Sequence, residues 1–232
     1  MNAKRRNALV IGASRGLGLA LVRELLIRGW IVTATSRRNE EGKLSSLAGE
    51  WSGQLSIEQL DVTQDDGINS LKTRLVSKHV DVLFINAGII HEKEETAETI
   101  SRDEFTRLMQ INALGPARLA ERLIDIIAPD GTVAAMTSEL ASIADNEDAV
   151  WDCYRASKAA LNMLMRSVAL RHRNEGRSFL LISPGWVKTD LGGPDATLEI
   201  DESIPRVVDQ LEAVSGTTGL RFINYDGKTL PW

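Results

Sequence analysis

The sequence predicts an α/β fold, a doubly wound parallel sheet of about seven strands with helices on both faces. Two observations carry that expectation. Short apolar, β-branched runs alternate with longer segments of helical period, and the first run leads straight into a glycine-rich turn from which a helix starts. Strand alternating with helix implies parallel pairing, and a sheet covered on both faces explains why the strands read as nearly continuous apolar runs.

The elements follow in order. Residues 8–11 form the first strand, stopped by Gly12, and 17–28 the helix after it. The second and third strands are expected at 31–35 and 55–60, with no helix assigned between them, and 66–78 is helical. A fourth strand at 82–85 precedes one long helix over 101–127, then a fifth strand at 132–136. In the helix at 154–173, Leu161, Leu164, Met165 and Val168 recur at spacings of three and four, which puts them on one buried face. A sixth strand at 179–182, a helix at 204–214 and a seventh strand at 220–223 complete the chain. Segment 192–203, with Gly192-Gly193-Pro194, reads as a mobile loop, and about 190–215 as the substrate loop and helix of a single domain spanning 1–232.

Composition narrows the function. The 27 Lys+Arg against 32 Asp+Glu leave a formal charge of −5, and Lys4-Arg5-Arg6 is too short a basic run to mark a nucleic-acid partner. The apolar stretch at 8–11 is broken by Gly12 and Arg15, too short for a signal peptide, and nothing approaches the roughly 18 apolar residues of a membrane span. A single cysteine, Cys153, cannot form an internal disulfide, so a reducing, cytoplasmic setting is expected. It reads as a buried small apolar residue rather than a reactive thiol. His79, His91 and His172 lie too far apart in sequence to suggest a metal-ligand cluster, and no metal is expected.

The glycine turn is Gly12-Ala13-Ser14-Arg15-Gly16-Leu17-Gly18. Between a strand and a helix, such glycines allow a tight turn and close approach of backbone to a pyrophosphate, which the helix N-terminus attracts. The spacing also suits a plain loop. After the second strand stands Ser36-Arg37-Arg38, where a carboxylate would select a ribose 2′-hydroxyl and an arginine a 2′-phosphate. With Arg15 as a second cation, NADP(H) is favoured over NAD(H); the competing reading makes the two arginines a solvated turn. Tyr154 and Lys158, four apart on one helix, share a face, and an ammonium there would lower the phenol's pKa toward the range of a general acid/base.

In this combination the chain resembles the short-chain dehydrogenase/reductase family, of classical type, over nearly its whole length. The motifs stand in order: Gly12-x-x-x-Gly16-x-Gly18, Asp61-Val62, Asn86-Ala87-Gly88, Asn112, Ser138, Tyr154-x-x-x-Lys158 and Pro184-Gly185. The resemblance implies a single-domain Rossmann fold. It makes Tyr154 the acid/base, Lys158 the residue that lowers its pKa and holds the nicotinamide ribose, Ser138 the group that orients a substrate carbonyl, and Asn112 the anchor of a proton-relay water. Cofactor contacts are implied at Gly12, Ser14, Arg15, Gly16, Leu17, Gly18, Arg37, Asp61, Val62, Asn86, Ala87, Gly88, Tyr154, Lys158, Pro184, Gly185, Val187 and Thr189. The endings Thr189-Asp190-Leu191-Gly192-Gly193-Pro194 and Arg221 to Trp232 are similar to the C-factor and Sniffer-type carbonyl reductase branch. The implied function is NADPH-dependent reduction of an aldehyde or ketone, with an NADP(H)-binding signalling protein as the alternative.

Several positions carry competing readings. Pro116 lacks the N–H that would bond the Asn112 carbonyl, freeing that carbonyl for a water; the alternative makes Gly115-Pro116 only a kink and Asn112 a surface residue. Thr137 competes with Ser138, whose separation from Tyr154 is lengthened by the polar loop at 145–148. Asp61 either contacts adenine or caps a turn. Trp151 and Trp186 are substrate-wall or ordinary packing aromatics. The family often pairs its two long helices in a homodimer or homotetramer, although charges such as Arg118, Glu121 and Arg122 leave a monomer open. Expected partners are a small carbonyl substrate, with neither nucleic acid nor membrane.

Overall fold

The computed structural model describes residues 5–38, 42–92, 95–148 and 150–232; Lys4 of the basic run lies outside the described residues. Seven parallel strands form one sheet in the order β3-β2-β1-β4-β5-β6-β7. They are β1 (Asn7–Ile11), β2 (Ile31–Ser36), β3 (Leu55–Gln59), β4 (Val80–Ile85), β5 (Ile127–Met136), β6 (Ser178–Ser183) and β7 (Gly219–Asn224). The expected doubly wound sheet is therefore present. Strand order reverses between β1 and β4, and the carboxyl ends of strands at such a switch point are where ligands bind in open α/β sheets.

The helices are α1 (Gly16–Ile27), α2 (Lys43–Glu50), α3 (Asp65–Leu75), α4 (Arg102–Met109), α5 (Gly115–Leu123), α6 (Asp152–Arg171) and α7 (Ile200–Ala213). Two cores result, one on each face of the sheet. Leu21, Leu25, Val207 and Leu211 bury the α1/α7 side, while Ile68, Leu119, Leu161 and Met165 bury the α3/α5/α6 side.

Five expectations need correction. Helix α2 was not expected, and it contributes only Leu44 and Leu47 to the core. The single helix over 101–127 is interrupted. Ser101 Oγ accepts from Glu104 N at 3.1 Å to start α4, a π-helical turn spans Gln110–Leu114, and after α5 a 3-10 turn, Ile124–Ile126, leads into β5. The strand starts five residues before the expected Thr132, because Ile127 already pairs with Val80 and the register shifts before Val82 meets Thr132. Segment 192–203 is tied down rather than loose. Gly193 N donates to Thr189 O at 2.9 Å, and Leu198 N donates to Trp186 O at 3.0 Å. A capping box between Glu199 and Glu202 begins α7 four residues ahead of the expected Ile204.

Among the described residues, no helix is long and apolar enough to cross a membrane. Arg6, of the short basic run, lies 5.3 Å from the centroid of the Trp30 ring and 3.9 Å from Glu212, so its charge is engaged within the chain.

Candidate active site

The glycine turn joins β1 to α1 at the switch point. Gly12 has φ +83° and Gly16 φ +55°, the left-handed region that favours glycine. A Cβ on Gly12 would lie 2.9 Å from Ala87 backbone atoms, and one on Gly18 would lie 2.2 Å from Gly12 O. Asn86 fixes the turn from β4: its N–H donates to Ile11 O at 2.9 Å and its Nδ2 to Gly12 O at 2.8 Å. The first turn of α1 carries no side-chain cap. A bare helix N-terminus behind a cradle that admits no side chain fits a dinucleotide pyrophosphate.

The expected adenosine end is less uniform. Arg37 follows β2 and is exposed, and its turn is held by Ser36 Oγ donating to Arg38 O at 2.7 Å and Gln59 Nε2 donating to Arg37 O at 3.1 Å. Arg15 instead pairs with Asp190, linking the glycine turn to the segment after β6. Asp61 Oδ1 accepts from Thr63 N at 2.9 Å and Thr63 Oγ1 at 2.7 Å, the turn-capping role weighed for it. Val62 is buried, with its carbonyl 3.0 Å from where a Gly115 Cβ would stand.

Tyr154 and Lys158 lie on consecutive turns of α6, both buried, with Lys158 Nζ 5.8 Å from the phenol ring centroid. Burial pushes the Tyr154 phenol up to about 12, with the neighbouring Ser138 hydroxyl acting in the opposite direction. This corrects the expected depression by Lys158. Loss of hydration sets the direction for the phenol, and burial lowers Lys158 itself to about 8. Its Nζ donates to Met136 O at 3.1 Å.

The structure separates the two competing hydroxyls. Ser138 meets Tyr154, and its Oγ accepts from Leu140 N at 3.1 Å. Thr137 Oγ1 turns away to donate to the buried Asn162 Oδ1 at 2.8 Å. Asn112 is fully buried in the π-helical turn, where Gly115 N reaches back to Gln110 O. Its Nδ2 donates to Ile89 O at 2.9 Å and to Ser157 Oγ at 3.0 Å, while its Oδ1 accepts from Ile89 N at 2.8 Å. Ser157, which sequence reasoning missed, donates in turn to Tyr154 O at 2.7 Å. Its signal was its place three residues after the tyrosine, on the same face of the helix. Gly88 completes the constellation, since a Cβ there would lie 3.5 Å from both Asn112 Oδ1 and Lys158 Nζ.

After β6, Gly185 at φ +78° admits no Cβ, which would fall 2.6 Å from Leu198 and 2.8 Å from Tyr225. Ser203 Oγ donates to Pro184 O at 2.7 Å, Val187 is buried, and Thr189 Oγ1 accepts from Gly192 N at 3.0 Å. Trp186 is exposed, with its Nε1 donating to Gly192 O at 2.7 Å. Trp151, at φ +63°, sets its ring edgewise on His91 with centroids 5.6 Å apart. The fold thus brings His91 beside Asp152 and Cys153, a meeting that the spacing of the histidines did not suggest. The Cys153 thiol is buried and pushed up to about 11.

A family model described as short chain dehydrogenase matches residues 6–198. The chain belongs to that family. As a short-chain dehydrogenase/reductase it is an NAD(P)-dependent oxidoreductase, and its likeness to solved members is close. A Burkholderia multivorans protein solved with bound NADP is 46% identical, with a TM-score of 0.97, over 99% of this chain and 100% of that one. The carbonyl reductase Sniffer of D. melanogaster is 30% identical, with a TM-score of 0.90, over 99% and 100% of the two chains. C-signal from Myxococcus xanthus is 35% identical over 167 residues, 71% of this chain and 100% of its own length. These relatives bear out the family and the C-factor and Sniffer-type resemblance drawn from the motifs.

Proposed function

We propose that this short-chain dehydrogenase/reductase is an NADPH-dependent reductase of aldehydes or ketones, with Tyr154 as the proton donor. The observation that carries this reading is the buried Tyr154 phenol, raised to about 12 by that burial, one helical turn from Lys158, whose Nζ stands 5.8 Å from its ring centroid. At neutral pH the phenol keeps its proton, as an acid in carbonyl reduction must.

The cradle of Gly12, Gly16 and Gly18 and the open α1 terminus would hold the pyrophosphate, while Arg37 would hold the 2′-phosphate. Asp61 and Val62 would border the adenine. Asn86, Ala87, Gly88, Pro184, Gly185, Val187 and Thr189 would line the remainder of the cofactor site. The bound nicotinamide supplies the hydride. Ser138 and Tyr154 bind the carbonyl oxygen, and Tyr154 gives up its proton to the forming alkoxide. The Lys158 ammonium stabilises the resulting phenolate and takes a ribose hydroxyl, while Asn112, locked by Ile89 and Ser157, sits beside Lys158 as the anchor of the proton path.

The test is NADPH oxidation against a panel of aldehydes and ketones, beside Tyr154→Phe. Turnover by the wild type, reduced at least a hundredfold in the variant with NADPH affinity retained, is the expected result. The match to C-signal, over 71% of this chain and all of C-signal, favours a second reading, an NADP(H)-binding signalling protein. Equal NADPH binding by both proteins with no turnover by either would select it.

A further inference from the structure

Cys153 precedes the proposed proton donor, and the cluster around it has no part in carbonyl chemistry. A ring nitrogen of His91, a carboxylate oxygen of Asp152 and Cys153 Sγ lie within 4.8 Å of one another. His91 is only 5% exposed and Cys153 only 3%, whereas Asp152 is half-buried and leaves a path from solvent.

The protonation of His91 follows from its neighbours. Its Nε2 stands 3.2 Å from Glu95 O, and a carbonyl can only accept, so Nε2 carries the hydrogen and neutral imidazole leaves its lone pair on Nδ1. That Nδ1 is buried without a hydrogen-bond partner. An unmatched polar atom of this kind costs about 1–3 kcal/mol. An imidazole whose far N–H is fixed on a backbone carbonyl is also how metal-binding histidines are held. Asp152 is positioned as firmly, Oδ2 accepting from Ala97 N at 2.8 Å and Oδ1 from Cys153 N at 2.7 Å.

We propose that His91, Asp152 and Cys153 bind a zinc-type divalent cation, with solvent as the fourth ligand. Imidazole, carboxylate and thiolate together form the borderline donor set that zinc prefers. Metal–ligand bonds of about 2.0–2.3 Å in a tetrahedron put donors roughly 3.4–3.7 Å apart, so a separation within 4.8 Å closes with small side-chain rotations. As the metal–sulfur bond forms, the thiol proton leaves to solvent. The ion would tie the first turn of α6 to the segment after β4, one residue ahead of Tyr154.

The experiment titrates the metal-free full chain with Co2+ and then with Zn2+. Expected are a thiolate-to-cobalt charge-transfer band with the visible bands of four-coordinate cobalt, both removed by one equivalent of Zn2+. Cys153→Ser should lose the charge-transfer band, His91→Gln should weaken Co2+ binding at least tenfold, and Zn2+ should raise the melting temperature of wild type but not of Cys153→Ser. A wild-type protein without the charge-transfer band overturns the proposal, and this outcome depends on no variant. Equal Zn2+ stabilisation of wild type and Cys153→Ser overturns it too.

Discussion

Lys158→Met should make the protein more stable at neutral pH while disabling it. Burial lowers the Lys158 ammonium from its ordinary 10.5 to about 8. At roughly 1.4 kcal/mol per pH unit, keeping that group charged in the folded state costs about 3 kcal/mol at pH 7. Methionine fills similar volume without the charge. It forfeits the hydrogen bond to Met136 O at 3.1 Å, worth ~1 kcal/mol, so a net gain of roughly 2 kcal/mol is expected. The pH dependence sets this cause apart from simple repacking. With the folded-state pKa below the unfolded one, the unfolded chain binds more protons between about pH 8 and 10.5, so the lysine's penalty shrinks as pH rises through that window. At about pH 9.5 it falls to roughly 1.4 kcal/mol, and the advantage of the variant nearly closes. Cys153 and Tyr154 also titrate in alkaline solution, but they are common to both proteins and cancel in the difference. The assay is urea unfolding of both proteins without cofactor at about pH 7 and pH 9.5. A variant less stable than wild type at pH 7, or a difference that does not change with pH, refutes the argument.

The other predictions follow from single contacts. Gly18→Ala places a Cβ 2.2 Å from Gly12 O and 2.5 Å from Asn86 Nδ2, so it should cost about 1–3 kcal/mol in urea unfolding and weaken NADPH binding at least tenfold by calorimetry. Ser138→Ala should lower kcat at least a hundredfold, whereas Thr137→Val, which breaks only the bond to Asn162 Oδ1, should cost about 1–2 kcal/mol of stability with kcat within a few-fold of wild type. Reversed effects on kcat would exchange the roles of the two hydroxyls. Arg37→Ala should lower the ratio of NADPH to NADH affinity at least tenfold in fluorescence titrations, and an unchanged ratio removes Arg37 from the 2′-phosphate site.

All seven strands were legible, the central ones such as β1, β4 and β6 because burial on both faces writes them as largely apolar runs, and the half-exposed edge strands β3 and β7 through shorter apolar stretches. The failures have local causes. Helix α2 buries only Leu44 and Leu47, too few for a periodic signal. The segment at 101–127 kept one apolar face through its π-helical turn, as Leu108, Ala113, Leu119 and Leu123 are all buried, so periodicity concealed a break that only Pro116 betrayed. The start of α7 was written in the polar pair Glu199 and Glu202 rather than in its apolar residues. In the site, the glycine turn and the Tyr154–Lys158 pair were legible because their spacing is local. The Met136 carbonyl under Lys158, the Asn112–Ser157 bond and the approach of His91 to Cys153 join residues far apart in the chain, where no periodicity reaches.

Helix α6 gathers the costs in one place. Its first turn is entered through Trp151 in a left-handed conformation, a backbone state that costs a bulky residue roughly 1–3 kcal/mol. Below it stands an ammonium that burial disfavours by a comparable amount. Both persist because the surroundings over-determine them. Arg155 Nε donates to Val150 O at 2.7 Å and its Nη2 to Asp148 Oδ1 at 2.6 Å, closing the approach to the helix. Asp152 holds Ala97 N, and Ser157 ties the next turn to Asn112. A lysine free to rotate into solvent would recover its hydration and lose its place under Tyr154. The hydrogen bonds at the start of α6 keep the charge where the proposed proton transfer requires it, and the gain expected from Lys158→Met measures the stability given up for that placement.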